Sequence, residues 1–319
     1  MNDKWYDYFL ETLSKKYPKK KDLAQALIDL LCIEREAVYR RLRKEVIFPA
    51  HEIVKIASEW NISLDRMVDA DTGKISFQLR LHSAFNPSEE DMKHLEKEIE
   101  NIENFKTCPN SEYMVIFNNL SRSLAAGFEY IYQFNVFKWA YLYRNESPPL
   151  SFSQIILSER LRNLISTYYQ NMKYAKNTSY IFEHMVFEYI VRDIQFFHSI
   201  LLITDEEKAL IKKDLHALLD YLLEIANTGC FPESGNKVQL YVSMINVNTN
   251  YSCFYTDNLK TFRVHTFNIL DIYTFDLKAI ERFRIWMQLM KRTSIQISEV
   301  DERSRIEFFA KQRQLIEEM

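Results

Sequence analysis

Glycine is scarce in this chain, with four residues in 319. Few positions can therefore adopt a positive φ cheaply, and glycine-rich phosphate-binding loops are not expected. The four cysteines, Cys32, Cys108, Cys230 and Cys253, are far apart and form no C-x-x-C pair. This spacing argues against a disulfide framework and predicts four free thiols in a reducing compartment.

Long apolar runs are also missing. No window approaches the roughly 18 apolar residues that a membrane-spanning helix needs. The first 16 residues, MNDKWYDYFLETLSKK, contain no apolar core of the kind that signal peptides have. We therefore expect a cytoplasmic protein without a membrane partner.

The common catalytic and metal-binding motifs are absent as well. The chain has no G-x-S-x-G or H-E-x-x-H sequence. His184 and Glu188 are four residues apart, but no second pair of ligands lies near them in the sequence. We expect neither a metal nor a cofactor, and we predict that the protein is not an enzyme.

The composition is that of a globular protein, with 47% hydrophobic and 14% aromatic residues. A length of 319 residues favours two domains of roughly 150 residues each. The net charge of −3 does not by itself suggest nucleic acid, and residues 1–70 hold 13 Lys and Arg against 12 Asp and Glu. The basic residues are nevertheless concentrated in two short stretches, 15–21 and 35–44.

Apolar spacing predicts five short helices at the front of the chain. In the second, Leu23, Leu27, Leu30 and Leu31 fall on one face. The expected helices span residues 3–14, 21–31, 34–43, 50–60 and 64–68.

Two segments of this region, residues 30–43 (LLCIEREAVYRRLR) and 52–68 (EIVKIASEWNISLDRMV), resemble the lambda-repressor-like, or XRE-type, helix-turn-helix family. Val38 matches the buried position of the family's recognition helix. Three positions depart from the family pattern. Cys32 stands where the turn usually has glycine, Ile28 replaces a usual alanine, and Glu34 replaces a Ser or Thr cap.

The resemblance implies that residues 1–72 form a five-helix DNA-binding domain that binds double-stranded DNA as a homodimer. Arginine can bond guanine and glutamate can accept from cytosine in the major groove. The resemblance assigns base contacts to Arg35, Glu36, Tyr39 and Arg40. Phosphate contacts are expected from Arg43, Lys44, Lys20 and Lys21.

The polar stretch 69–74 is the predicted boundary, and residues 75–319 are predicted to form a mainly α regulatory or oligomerisation domain that could take a small-molecule effector. A strand is expected at 75–81 and a small antiparallel β-sheet near residues 237–270. The aromatic-rich segment 112–143 is interpreted as helical core. Further helices are expected at 88–105, 158–174, 180–202, 205–226, 275–290 and 301–317.

Two alternative functions remain open. Arg192 and His198 are similar to the R-x(4–6)-H signature of HEPN-type helical ribonucleases, which favours an RNase or toxin–antitoxin component. The basic residues of 34–44 could also be a solvated face paired with Glu34, Glu36 and Glu45. In that case the chain would be an interaction scaffold whose helix-turn-helix has lost DNA binding.

Overall fold

The protein is described by a computed structural model. The chain divides into two compact units, residues 1–76 and 77–319. The residues that the structure describes are 4–60, 62, 64, 75–79, 85–143, 150–257, 259–266 and 270–319.

The first unit contains four short helices in its described part. They are α1 (Lys4–Lys16), α2 (Lys20–Leu31), α3 (Arg35–Leu42) and α4 (Ala50–Glu59). Each lies within two residues of a predicted helix, so these four predictions are confirmed. The predicted fifth helix, 64–68, lies outside the described residues except for Leu64, and so does the predicted boundary 69–74.

Aromatic side chains build the core of the first unit. Phe9 and Phe48 are fully buried and meet edge to face, with ring centroids 6.0 Å apart. The Tyr6 hydroxyl donates to the carbonyl oxygen of Arg41 and accepts from the backbone N–H of Phe48, both at 3.2 Å. These bonds tie α1 to the end of α3, so the position of α3 is fixed by the core as well as by its own turn.

The second unit is built on an eight-stranded mixed sheet, and the predicted small antiparallel sheet in a mainly α domain is wrong. The strand order is β1-β7-β6-β5-β2-β3-β4-β8, in which the neighbours β2–β3 and β3–β4 pair in parallel and the other neighbours pair antiparallel. The strands are β1 (Gln78–Leu79), β2 (Glu112–Phe117), β3 (Asn177–Glu183), β4 (Lys237–Ser243), β5 (Asn250–Tyr255), β6 (Lys260–Thr266), β7 (Leu270–Thr274) and β8 (Ser294–Gln296).

Two central strands account for this error. Strand β2 lies inside the segment interpreted as helical core, and β3 includes the first residues of the helix predicted at 180–202. Both are parallel strands with helices against the sheet, and five or six residues of each are buried. A strand buried on both faces lacks the polar–apolar alternation by which an exposed strand is recognised.

The strands within residues 237–270 also pair differently from the prediction. Strands β5, β6 and β7 do form an antiparallel meander. Strand β4, in contrast, pairs in parallel with β3 and is separated from β5 by two other strands. The chain therefore crosses the sheet between β4 and β5 instead of turning back in a hairpin.

Helices cover the two faces of the sheet unequally. Seven helices of the second unit pack on one face, around Val115, Phe182 and Leu240. Among the described residues, α11 is the one helix that contributes buried side chains to the other face, around Met114 and Ile181. The helices are α5 (Glu89–Thr107), α6 (Arg122–Ala125), α7 (Glu129–Tyr143), α8 (Glu159–Met172), α9 (Val186–Ser199), α10 (Asp205–Thr228), α11 (Leu277–Met290) and α12 (Glu302–Glu317).

Candidate functional site

The turn between α2 and α3 sets the direction of the candidate recognition helix. Cys32 has φ = +55°, and its N–H bonds the carbonyl oxygen of Ile28 at 2.8 Å. A left-handed residue after the last turn is a common way to end a helix. Two residues separate Cys32 from Arg35, where α3 begins. Glu34, in the cap position, makes no side-chain cap bond. Val38 is fully buried and holds α3 against the core.

The opposite face of α3 is open. The side chains of Arg40 and Glu36 are 53% and 70% exposed. Arg35 is exposed and reaches only Gln25 of α2, with Nη2 and Oε1 3.4 Å apart. Tyr39 is half-buried beside them. The four residues with predicted base contacts therefore lie together on one surface, which we call the α3 face (Arg35, Glu36, Tyr39 and Arg40).

The predicted phosphate-binding residues differ in their partners. Arg43 bonds both Glu36, at 2.8 Å, and Glu45, at 2.7 Å. The Arg43 hydrogen bond lowers the pKa of Glu45, so that carboxylate stays ionised. Lys44 is ion-paired with Asp7 of α1. These two cations must therefore exchange a carboxylate for a phosphate before they can bind DNA.

Lys20 and Lys21 are better placed for a phosphate. Both are exposed in the first turn of α2. Within the described part of the chain neither makes an ion pair or a side-chain hydrogen bond. A helix N-terminus adds exposed N–H groups and a partial positive charge, which favour an anion.

Arg41 has a role that the sequence analysis missed. Its guanidinium makes two bonds to the carboxylate of Glu52 on α4, with Nε–Oε2 at 2.8 Å and Nη2–Oε1 at 2.9 Å. The two side chains are only 15% and 8% exposed. Arg41 therefore fixes α3 to α4 and is unavailable to DNA. Its position three residues after buried Val38 was the signal that it points inward.

The residues considered for RNA cleavage and for metal binding each have a partner of their own. Arg192 pairs with Glu188, and His198 pairs with Asp205 through Nε2 at 2.9 Å. His184 bonds its neighbour Glu183, so Glu188 and His184 have separate partners. Within the described ranges, no group of three or more His, Cys, Asp or Glu side chains is arranged to hold a metal ion.

A second candidate site lies in the sheet unit, at the carboxyl end of β2. There a cleft of about 400 Å³ opens between the segments that follow β2 and precede β5. Asparagines on both segments line it, including Asn118 and Asn248. Residues 246–250 fall inside the small sheet predicted near residues 237–270, and no site was predicted there.

No family model matches the chain, and neither does any of the curated proteins or solved structures compared with it. Among the described residues, no helix has both the length and the apolar character that crossing a bilayer requires.

Proposed function

We propose that the protein is a sequence-specific DNA-binding transcriptional regulator whose residues 1–72 read the major groove through the α3 face. The observation that carries this proposal is that α3 has one side packed against its own unit and one side exposed. One side is fixed by Val38 and by the Arg41–Glu52 pair. Within the described part of the first unit, the other side leaves Arg35, Glu36 and Arg40 exposed and Tyr39 half-buried.

The chemistry of the α3 face suits base edges. An α-helix with its side chains is about 10–12 Å in diameter, which fits the major groove of B-DNA, about 12 Å wide. Arg35 and Arg40 can each donate two hydrogen bonds to guanine O6 and N7, and Glu36 can accept from cytosine N4. Lys20, Lys21, Arg43 and Lys44 would then hold the helix in register through phosphates.

The exposed ion pairs around α3 have to open when DNA binds. Glu45 pairs with both Arg43 and Arg40, Glu36 pairs with Arg43, and Asp7 pairs with Lys44. Exposed pairs of this kind contribute little to stability, so phosphates and base edges can replace these partners at small cost.

Helix-turn-helix domains commonly bind DNA as symmetric dimers, with one domain on each half-site. We propose a cytoplasmic homodimer on half-sites one helical turn apart, with the large second unit supplying dimerisation and control. Two-fold symmetry in the protein then requires an inverted repeat in the operator.

The first test is capture of genomic fragments by the purified full chain, followed by sequencing of the bound DNA. An enriched inverted repeat with half-sites about 10 base pairs apart is the expected result. If the bound fragments share no sequence, the chain is not a specific regulator.

The second test is Arg40→Ala on that operator. Loss of a two-bonded guanine contact should weaken operator binding by about 10- to 100-fold, since such a contact contributes roughly 1–3 kcal/mol. Binding to random DNA should change far less. The matched control is Arg303→Ala, which removes one exposed arginine from α12. Equal losses on operator and random DNA would mean that Arg40 touches only phosphate.

A further inference from the structure

The cleft at the end of β2 has a rigid polar floor. Asn250 is 3% exposed, and its Oδ1 accepts from the backbone N–H groups of Asn118 at 2.9 Å and Asn119 at 3.3 Å. Its Nδ2 donates to the carbonyl oxygen of Asn119 at 3.1 Å. One buried amide thus fixes the chain as it leaves β2 and enters β5, and the floor is formed before any ligand arrives.

The charged groups that line the cleft are already neutralised. Lys138 is ion-paired with Asp193 of α9. Both ring nitrogens of His265 are occupied, Nδ1 by Asp271 at 2.6 Å and Nε2 by Ser252 at 2.7 Å. A ligand in the cleft therefore meets no uncompensated charge from the described lining residues.

Two amides in the cleft remain unused. Asn135 on α7 is half-buried and Asn248 is exposed, and within the described part of the protein neither side chain makes a hydrogen bond. A primary amide both donates and accepts, as a hydroxyl group does. Trp139 and Leu142, also on α7, add apolar surface to the same wall.

We propose that this cleft binds a neutral polyhydroxylated molecule of one or two sugar rings, which acts as the effector of the regulator. Amides that both donate and accept match hydroxyl groups, and an apolar wall matches the C–H face of a sugar ring. The volume lies near the lower end of the range for small-molecule sites, about 300–1,000 Å³. The effector role rests on the proposed DNA-binding function, whereas sugar binding itself does not.

The same features argue against a phosphorylated ligand. Phosphate sites in proteins use free arginines or lysines, or the exposed N–H groups of a helix N-terminus or glycine-rich loop. Here the lysine has a carboxylate partner, and no glycine lines the cleft. Discrimination between a sugar and its phosphate is therefore a sharp test of the proposal.

Binding can be measured on the full chain by isothermal titration calorimetry with xylose, glucose, galactose and maltose, and with glucose 6-phosphate as the charged comparison. We expect at least one neutral sugar to bind, and glucose 6-phosphate to bind more weakly than glucose. Asn135→Ala and Asn248→Ala should each weaken binding by up to about tenfold, since each removes hydrogen bonds to the ligand. Asn163→Ala, on the exposed side of α8, is the matched control and should leave binding unchanged.

Three results would overturn the sugar site. These are no binding by any of the four neutral sugars, tighter binding of glucose 6-phosphate than of glucose, or equal affinity in wild type and the Asn135→Ala/Asn248→Ala double variant. Thermal unfolding of that double variant checks that it is folded. Because both side chains lack partners in the described protein, their removal should leave the unfolding temperature within a few degrees of wild type.

The effector role needs a separate readout. Operator affinity is measured with and without the sugar that binds, in wild type and in the double variant. A change of about fivefold or more in wild type alone supports the role. A sugar that binds without changing operator affinity overturns the effector role only. Failure to bind any specific DNA overturns the proposed function and leaves the calorimetric result on the sugar intact.

Discussion

At the scale of single residues, Cys32 departs from the family pattern and adopts a strained backbone conformation in the turn. The family pattern expects glycine in the turn, and the structure places this cysteine at φ = +55°. A non-glycine residue in that conformation is destabilised by roughly 1–2 kcal/mol relative to a right-handed one. Cys32 is exposed, so its side chain recovers little of this through packing.

Replacement of Cys32 should therefore act in opposite directions according to the new side chain. We expect Cys32→Gly to stabilise the first unit by about 0.5–1 kcal/mol, because relief of strain exceeds the entropy that glycine adds to the unfolded chain. Cys32→Val should destabilise it by about 1–2 kcal/mol, because β-branched residues tolerate positive φ poorly. Hydrogen exchange of the α2 and α3 amides in the full chain measures both. Equal effects of the two substitutions would show that backbone strain is not the cause.

At the scale of elements, prediction succeeded where one face of an element is solvated. Helices α1 to α4 have apolar residues at helical spacing and polar residues elsewhere, and their bounds follow from that pattern. Strands β2 and β3 have no such contrast. The run Tyr113 to Phe117 is buried at every position, so periodicity could not separate it from the aromatic helix that follows.

The candidate sites also differ in how much of each the sequence could predict. The members of the α3 face could be named because they share one helix, where spacing gives direction. The pairing of Arg41 with Glu52 depends on how α4 packs on α3, and the cleft depends on strand order in the sheet. Asn118 and Asn248 are 130 positions apart in the sequence. Only the adjacency of β2 and β5 brings their segments together, and no local pattern encodes it.

A buried ion cluster connects four elements of the second unit. Glu98 of α5, Arg122 of α6, and Arg263, His265 and Asp271 of the sheet are each at most 15% exposed. Burial alone would raise the pKa of the Asp271 carboxyl. The charges of His265, Arg122 and Arg263 outweigh it and hold that pKa well below its usual value.

The low pKa of Asp271 determines how the stability of the second unit changes with pH. An aspartate in the unfolded chain has a pKa of about 3.9, so the unfolded state binds the proton more readily than the folded one. Asp271 thus contributes stability that is complete above about pH 5 and is lost as the pH falls below about 4. We expect Asp271→Asn to cost the second unit about 3–5 kcal/mol at pH 7 and to flatten its acid unfolding curve. Calorimetry between pH 3 and 7 measures both.

The matched control for that experiment is Asp220→Asn, which breaks an exposed pair with Arg313. It should cost less than about 1 kcal/mol and leave the acid curve unchanged. An Asp271→Asn variant with the wild-type slope between pH 3 and 5 would show that the cluster does not drive the acid transition.

At the scale of the whole molecule, the two units have separate hydrophobic cores of unequal size. A core within about 70 residues rarely supplies more than 3–5 kcal/mol. The sheet unit is more than three times longer and buries a larger share of its surface. The first unit is therefore expected to be the less stable of the two, and a ligand that binds the sheet unit stabilises that unit first.

This difference predicts two thermal transitions for the full chain, with the first unit unfolding at the lower temperature. Glu52→Ala leaves the buried Arg41 guanidinium without its partner, at a cost of about 3 kcal/mol. It should lower only the first transition, because Glu52 and its partner Arg41 both belong to the first unit. Asp271→Asn should lower only the second. Differential scanning calorimetry separates the two, and hydrogen exchange identifies which unit opens in each. A single transition that both substitutions shift together would mean that the units unfold as one cooperative body.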